Sequence, residues 1–273
     1  MKALFRYPGS KWSLANWIIQ HFPEGYEKYV YLEPFVGSGA VFFNKNPGTV
    51  ETINDLNSDV VNLFRVLRHQ PEELRRVLAL TPYSREEYEE SFINSSDSLE
   101  QARRYMVRTT QAIGAKPDAG WRNHKQTKIG GTACKWGGIT ETINLAASRL
   151  RGDTTHLVQI EHMDALRLIS RYNFHDVLMY IDPPYLRETR KSGRLYVHEM
   201  TVIEHEELLA IIKESKAKII ISGYPSALYD HYLHEWYSDT TCTHTTSAEK
   251  VTEKIGSSRK VRGKKKKRVA KRA

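Results

Sequence analysis

Four consecutive residues, Asp182-Pro183-Pro184-Tyr185, follow the apolar run Val177-Leu178-Met179-Tyr180-Ile181. The run reads as a buried strand of a parallel sheet. Two prolines cannot continue a hydrogen-bonded ladder, so the chain must turn at its end. A carboxylate and an aromatic ring are thereby set at the carboxyl end of a strand, where ligands bind in open α/β sheets. The chemistry these residues suit is transfer of a group to the exocyclic amine of a base. Such an amine is a poor nucleophile because its lone pair is delocalised into the ring. Asp182 can accept one of its N–H bonds and the Pro183 carbonyl the other. Two acceptors aimed at one NH₂ favour the pyramidal nitrogen of the transition state and the positive charge that grows on it. Tyr185 offers a face on which a flipped-out base could stack. A tight turn with a capping Asp and a core Tyr would use the same four residues, so the assignment needs a second site elsewhere in the chain.

That second site lies upstream. Tyr29-Val30-Tyr31-Leu32 reads as a strand ending at Glu33-Pro34-Phe35-Val36-Gly37-Ser38-Gly39, and Ala40-Val41-Phe42-Phe43 begins a helix. A strand, a glycine-rich loop and a helix let a nucleotide-like ligand sit against the loop backbone. An acid before the loop argues against a pyrophosphate and for a cationic or amino-bearing ligand. The next strand, about 50–53, ends at Asn54-Asp55-Leu56-Asn57. An acid there, roughly twenty residues after the glycine loop, occupies the place where dinucleotide folds hold a ribose hydroxyl. Asp55 or Asn57 would equally cap the following helix, 59–69. Near the start, Tyr7-Pro8-Gly9-Ser10-Lys11 is turn-rich, and Lys11 supplies a charge that could meet a carboxylate. Ser10 or Ser13 is expected to cap a helix running to about Phe22.

Between these sites the pattern is helical over 71–113, with a capping box at Ser84-Arg85-Glu86-Glu87. Periodicity then disappears from Gly114 to Gly138, a stretch rich in Gly, Lys and Trp. Its Arg122, Asn123, Lys125, Lys128 and Lys135 suit phosphate and base-edge contact, or simply a solvated loop. A second basic loop, with Arg187, Arg190 and Lys191, follows Tyr185. Further strands at 156–160 and 218–222 alternate with helices at about 166–172 and 204–215. The class is α/β with a largely parallel sheet.

The chain has 273 residues and a formal net charge of +9. The last fifteen residues, 259–273, carry ten Lys/Arg and no acid, which leaves 31 basic against 32 acidic residues elsewhere. The positive charge is thus local, in the tail and between Gln101 and Arg151, and those stretches could face a polyanion. Two cysteines make neither a disulfide framework nor a zinc site, and no run is apolar enough to span a bilayer. A reducing, intracellular setting is expected, with no membrane partner and no metal.

Arg6-Tyr7-Pro8-Gly9-Ser10-Lys11, the glycine loop, Asn54-Asp55-Leu56-Asn57 and Asp182-Pro183-Pro184-Tyr185, in this order, resemble the Dam-type DNA adenine-N6 methyltransferases of phages and bacteria. The likeness spans roughly 4–235. It implies a Rossmann-like methyltransferase sheet with a mainly helical target-recognition insertion, and S-adenosylmethionine as methyl donor. It implies that Tyr7, Lys11, Glu33, Phe35, Gly37, Gly39, Asp55 and Asp182 form the donor site, with Asp55 on the ribose. It also implies that Asp182, Pro183, Pro184 and Tyr185 hold a flipped adenine of double-stranded DNA. The expected divisions are a donor-binding half at 1–70, the insertion at 71–152, a catalytic half at 153–245 and a basic, disordered tail at 246–273. A cytoplasmic, nucleoid-associated enzyme with no obligate protein partner is expected, as part of a restriction-modification pair or alone.

Two features depart from the family pattern. Relatives end in an apolar strand of Glu-Val-Leu-Trp-like sequence, whereas Lys250-Val251-Thr252-Glu253 runs into Lys254-Ile255-Gly256-Ser257-Ser258. A final hairpin strand is therefore expected to be missing. The stretch 114–138 does not match the recognition loop of the GATC-methylating members, so that target is not carried over. Alternative readings are methylation of cytosine N4 or of RNA, a DNA-binding relative impaired in catalysis, and methylation of a protein glutamine amide, which fits the basic stretches less well.

Overall fold

Val177–Ile181 is buried at every position, as a strand covered on both faces must be. Around it the chain builds a doubly wound sheet. The structure, a computed structural model, describes residues 1, 3–113, 120–123, 136–190, 196–244 and 250–258. In order the elements are α1 (Ala15–Ile19), β1 (Val30–Glu33), α2 (Ala40–Asn44), β2 (Val50–Asn54), α3 (Ser58–His69), α4 (Pro71–Leu80), α5 (Arg85–Glu90) and α6 (Ser98–Gln111). Then come α7 (Ile143–Arg151), β3 (Leu157–Glu161), α8 (Ala165–Arg171), β4 (Val177–Ile181), α9 (Val202–Glu214), β5 (Lys218–Gly223), α10 (Ala227–Tyr232), β6 (Tyr237–His244) and β7 (Lys250–Ser257).

Among the described residues the sheet order is β3-β2-β1-β4-β5-β7-β6. The first five strands are parallel, while β7 runs antiparallel to both β5 and β6. Leu32 stands between Thr52 of β2 and Met179 of β4. The winding reverses between β1 and β4, and the crevice outside their carboxyl ends is where such sheets bind ligands. Glu33 and Asp182 lie at those two ends.

Each face of the sheet has its own core. On one face Tyr31, Ile53, Val158, Leu178, Tyr180 and Ile220 pack with α3, α4, α6 and α7, through Phe64, Leu67, Leu74, Met106, Ile143 and Leu150. The helices α4, α6 and α7 therefore share one core with α3 and this face of the sheet. On the other face Leu32, Met179, Ile181, Ile219 and Ile221 pack with α8 and α9 through Leu168, Leu208 and Ile212. Caps set several helix starts: Asn57 Oδ1 accepts from Asp59 N at 3.0 Å before α3, and Thr201 with Glu204 forms a reciprocal capping box before α9.

Three expectations are corrected. The first helix covers only Ala15–Ile19, and its N-cap is Leu14 with no side-chain cap. Ser10 is not a cap because its Oγ is bonded to Ser38 Oγ at 2.8 Å. The final hairpin strand, expected to be missing, is present: β6 and β7 pair from Tyr237↔Ser257 to His244↔Lys250, and β7 adds to β5 with Ser222↔Ile255. The tail boundary at 246 is wrong for the same reason, since 250–257 belong to the sheet. Residues 246–249 and 259–273, on which the rest of that expectation falls, lie outside the described residues. No helix among the described residues is long and apolar enough to cross a membrane.

Candidate active site

The glycine loop leaves β1 in conformations that side chains resist. Gly37 and Gly39 have φ of +48° and +69°. A Cβ on Gly37 would lie 2.9 Å from the Tyr7 ring, and one on Gly39 would lie 2.7 Å from the Phe43 ring. Asp55 ties the loop down. Its Oδ2 accepts from Gly37 N at 2.8 Å and its Oδ1 from Asn57 N at 2.9 Å. Burial pushes its pKa up against those two bonds. Thus Asp55 shapes the loop and the start of α3 together, while Asn57 is the cap.

These elements surround an open cavity lined by Tyr7, Lys11, Glu33, Phe35, Gly37, Asp55, Asp182 and Pro184. Residues from four separate segments meet there. Gly39 does not line it and serves instead as the N-cap of α2. Pro183 is buried and also absent from the lining.

The charged groups are interlocked. Lys11 is 5% exposed. Its Nζ donates to Gly9 O at 2.7 Å and lies 3.1 Å from Asp182 Oδ1 and 3.8 Å from Glu253 Oε1. Burial opposes the ammonium, but Asp182 and then Glu253 outweigh it and raise its pKa. Asp182 faces the cavity with 17% of its side chain exposed. Burial raises its pKa and Lys11 opposes the rise. Glu33, 2% exposed, is pushed up to about 8 by burial, although the Tyr31 hydroxyl donates to it at 2.7 Å. Glu253 is pushed up to about 7 by burial against Lys11. The site therefore keeps one firm cation among acids of graded strength.

Tyr185 departs from expectation. Its ring is 6% exposed, with Lys11 Nζ 4.6 Å over its centroid and the Tyr224 ring edge-on at 4.6 Å. Its hydroxyl donates to Glu253. The open stacking face expected of Tyr185 is thus occupied in this structure.

The basic segments are only partly described. Arg122 and Asn123 lie on a short stretch paired back to the end of α6, with Arg122 N donating to Gln111 O at 2.9 Å and Tyr83 donating to Arg122 O at 2.6 Å. Trp121 beside them packs on Tyr83 and carries the Arg85 guanidinium 5.0 Å from its ring. Burial and the neighbouring Arg122 lower the pKa of Arg6. Arg187 is exposed. Arg190 is a correction: its side chain is 4% exposed and ion-paired with Glu199, which also accepts Tyr196 N at 3.0 Å. It braces a loop rather than presenting a charge to phosphate. Lys125, Lys128, Lys135 and Lys191 lie outside the described residues.

Sequence reasoning missed Tyr196, His198, Met200 and Glu253. The first three line the cavity from the loop that Arg190 braces. No residue pattern marked them, because their place depends on a side-chain ion pair. Among the described residues no His, Cys, Asp and Glu cluster is arranged to hold a metal ion.

The fold is a doubly wound α/β sheet with its cavity at the strand-order switch. The family model for D12 class N6 adenine-specific DNA methyltransferases matches residues 7–254, and the chain belongs to that family. It is an enzyme that methylates adenine N6 in DNA, with S-adenosylmethionine as donor. The Type II methyltransferase M1.LlaDCHI of Lactococcus lactis subsp. cremoris is 26% identical over 219 residues, 73% of this chain and 71% of that protein. The DNA N-6-adenine-methyltransferase of Escherichia phage P1 is 35% identical over 74 residues, 27% of this chain and 9% of that protein. The DNA adenine methylase of Vibrio cholerae is 35% identical over 71 residues, 26% of this chain and 24% of that protein. Among solved structures, an rRNA methyltransferase, aviRa from Streptomyces viridochromogenes, aligns with 96% of this chain and 91% of its own at a TM-score of 0.43 and 14% identity.

Proposed function

We propose that the enzyme acts on duplex DNA and turns the target adenine out of the stack into the cavity mouth beside Asp182 and Pro184. The observation that carries this reading is the convergence of Asp182 with Lys11, Glu33 and Asp55 on one cavity. Unstacking costs a few kcal/mol, which contacts with the extruded base must offset.

When bound, S-adenosylmethionine supplies an electrophilic methyl group on a sulfonium centre. The lining suits that molecule. Glu33, Asp55 and Asp182 give an acidic wall for its cationic parts, and Tyr7 and Phe35 give it aromatic walls. Asp55 retains lone pairs beyond its two backbone bonds, enough to accept from a ribose hydroxyl. Gly37 keeps open a space against Tyr7 that a Cβ would fill.

Asp182 then accepts one N6–H bond of the target, and the Pro183 carbonyl, which does not line the cavity in this structure, turns toward the bound base to accept the other. Lys11, 3.1 Å from Asp182 Oδ1, opposes the rise that burial gives the Asp182 pKa, and the ionised form is the one that answers positive charge growing on N6. After transfer the surplus N6 proton passes to Asp182 and on to solvent. Attack is direct, with no covalent enzyme intermediate, and holding both reactants in line supplies much of the acceleration. Arg122, Asn123 and Arg187 contact the phosphates, together with Lys125, Lys128, Lys135 and Lys191. The enzyme needs no obligate protein partner and works in a bacterial or phage-infected cytoplasm, at the nucleoid.

The test is methyl transfer to unmethylated duplex with nucleoside mass spectrometry of the product. Asp182→Ala is expected to abolish turnover nearly completely and leave donor binding largely intact, since Glu33 and Asp55 still line the cavity. Undiminished methylation by that variant would refute the role of Asp182. Methylation confined to single-stranded DNA would refute the duplex reading.

A further inference from the structure

The C-terminal hairpin contributes to the site as well as closing the sheet. Alternate residues of β7 are buried, and one of them is Glu253, 2% exposed. An acid is rarely found so deep without partners. Its partners belong to the catalytic turn and the N-terminal segment: the Tyr185 hydroxyl donates to Glu253 Oε1, and Lys11 Nζ lies 3.8 Å from the same oxygen. The same ammonium is 3.1 Å from Asp182 Oδ1. Two carboxylates thus share one cation unequally. Glu253 is absent from the cavity lining, so it acts through these neighbours and not on a ligand.

The sharing has a chemical consequence. Asp182 held by an ammonium is a weaker acceptor for a target amine, and its charge is already partly answered. A cation moved toward Glu253 would return that charge to the cavity with no proton exchanged. Lys11 already lies within 4 Å of both acids, so a small side-chain shift suffices.

We propose that Glu253 is a positioning residue for methyl transfer, fixing the Tyr185 hydroxyl and giving Lys11 a second anionic seat as the target amine engages Asp182. This rests on the reading above that Asp182 accepts the target amine. The two tasks are separable by substitution. Gln at this position keeps an acceptor for the Tyr185 hydroxyl but offers no charge to Lys11, whereas Ala removes both.

The experiment measures single-turnover methyl transfer by the full chain, with labelled S-adenosylmethionine and unmethylated duplex both saturating, alongside donor affinity and thermal melting. Glu253→Gln is expected to slow the bound-state rate on the order of 10-fold and Glu253→Ala on the order of 10²-fold, as for misplaced catalytic groups. Donor affinity should change by no more than about 2-fold, since the lost interactions act on the transition state rather than on binding. Tyr185→Phe, which removes only the hydroxyl, should slow the same step. Should Glu253→Ala fail to fold, Glu253→Gln and Tyr185→Phe still decide, because each keeps the shape of the side chain. If Asp182→Ala is inactive but Glu253→Gln and Tyr185→Phe transfer at the wild-type rate, the inference is overturned and the role of Asp182 stands. If the variants lose only melting temperature and affinity, Glu253 is structural and the inference is likewise overturned. If Asp182→Ala is itself fully active, the underlying reading fails first, and the proposal falls with it.

Discussion

Gly37 tests whether the glycine loop is shaped for a ligand or merely for a turn. Gly37→Ala introduces two separable penalties. The first is backbone strain, since φ is +48° and a left-handed residue with a Cβ costs about 1–2 kcal/mol. The second is contact, since the new Cβ would sit 2.9 and 3.0 Å from two atoms of the Tyr7 ring. Tyr7 cannot step aside freely, because Phe5 lies edge-on at 6.2 Å and Tyr196 at 6.4 Å between centroids. Overpacking of this kind adds about 1–3 kcal/mol or displaces Tyr7 from the cavity wall. Gly25→Ala is the matched control. Its φ is +67°, yet its Cβ would meet nothing closer than 3.9 Å. It should therefore carry the strain alone, lowering the melting temperature by about 2–4 °C per kcal/mol, with donor affinity unchanged. Gly37→Ala should lower the melting temperature further and weaken S-adenosylmethionine binding by about 10-fold, equivalent to about 1.4 kcal/mol. Calorimetric titration and melting of the two variants read both effects. Equal melting losses with wild-type donor affinity for Gly37→Ala would refute the argument that Tyr7 forms a wall of the donor site.

The buried acids give the protein a pH signature. Glu33 rises from an ordinary 4.5 to about 8, so its contribution to stability is fully present below about 4.5 and is lost as pH rises through about 8. Glu253 acts with the same sign up to about 7. The melting temperature of the ligand-free enzyme should carry a falling component between about pH 5 and pH 8, which Glu33→Gln flattens; an unchanged slope in that variant would refute the assignment. Arg190→Ala should disturb the loop carrying Tyr196 and weaken donor binding, yet leave the salt dependence of DNA binding intact. A phosphate-contacting arginine would instead reduce the slope of log affinity against log salt by about 0.9, and that result would return Arg190 to the DNA interface.

The parts of the site that could be read in advance are those with local rules. Gly37 and Gly39 mark backbone that only glycine adopts easily, Asn57 caps α3, and two prolines stop β4 beside Asp182. The order of these marks also foretold the sheet, because alternating strands and helices leave few ways to wind it. Reading failed where a side chain takes its meaning from a distant partner. Ser10 has the chemistry of a helix cap, but Ser38, 28 residues away, claims its hydroxyl. Arg190 added to an apparent basic loop, but Glu199 neutralises it and turns the loop over the cavity.

Strand β7 shows why such failures gather at the site. Its inward positions are Glu253, Ile255 and Ser257, with Thr252 exposed and Lys254 half-buried between them. Apolar alternation, the local mark of a half-buried strand, is broken by the one acid in that inward row. Burying a carboxylate there would be costly in an ordinary edge strand. Here Tyr185, 68 residues earlier, and Lys11 supply the hydrogen bond and the charge that make the position tenable. The residue that most obscures the strand is thus the one that ties it to the catalytic turn. A lone acid in an otherwise unconvincing terminal strand is, in a chain whose buried Lys11 lies within 4 Å of it, a reason to look for the strand beside the cavity rather than to discard it.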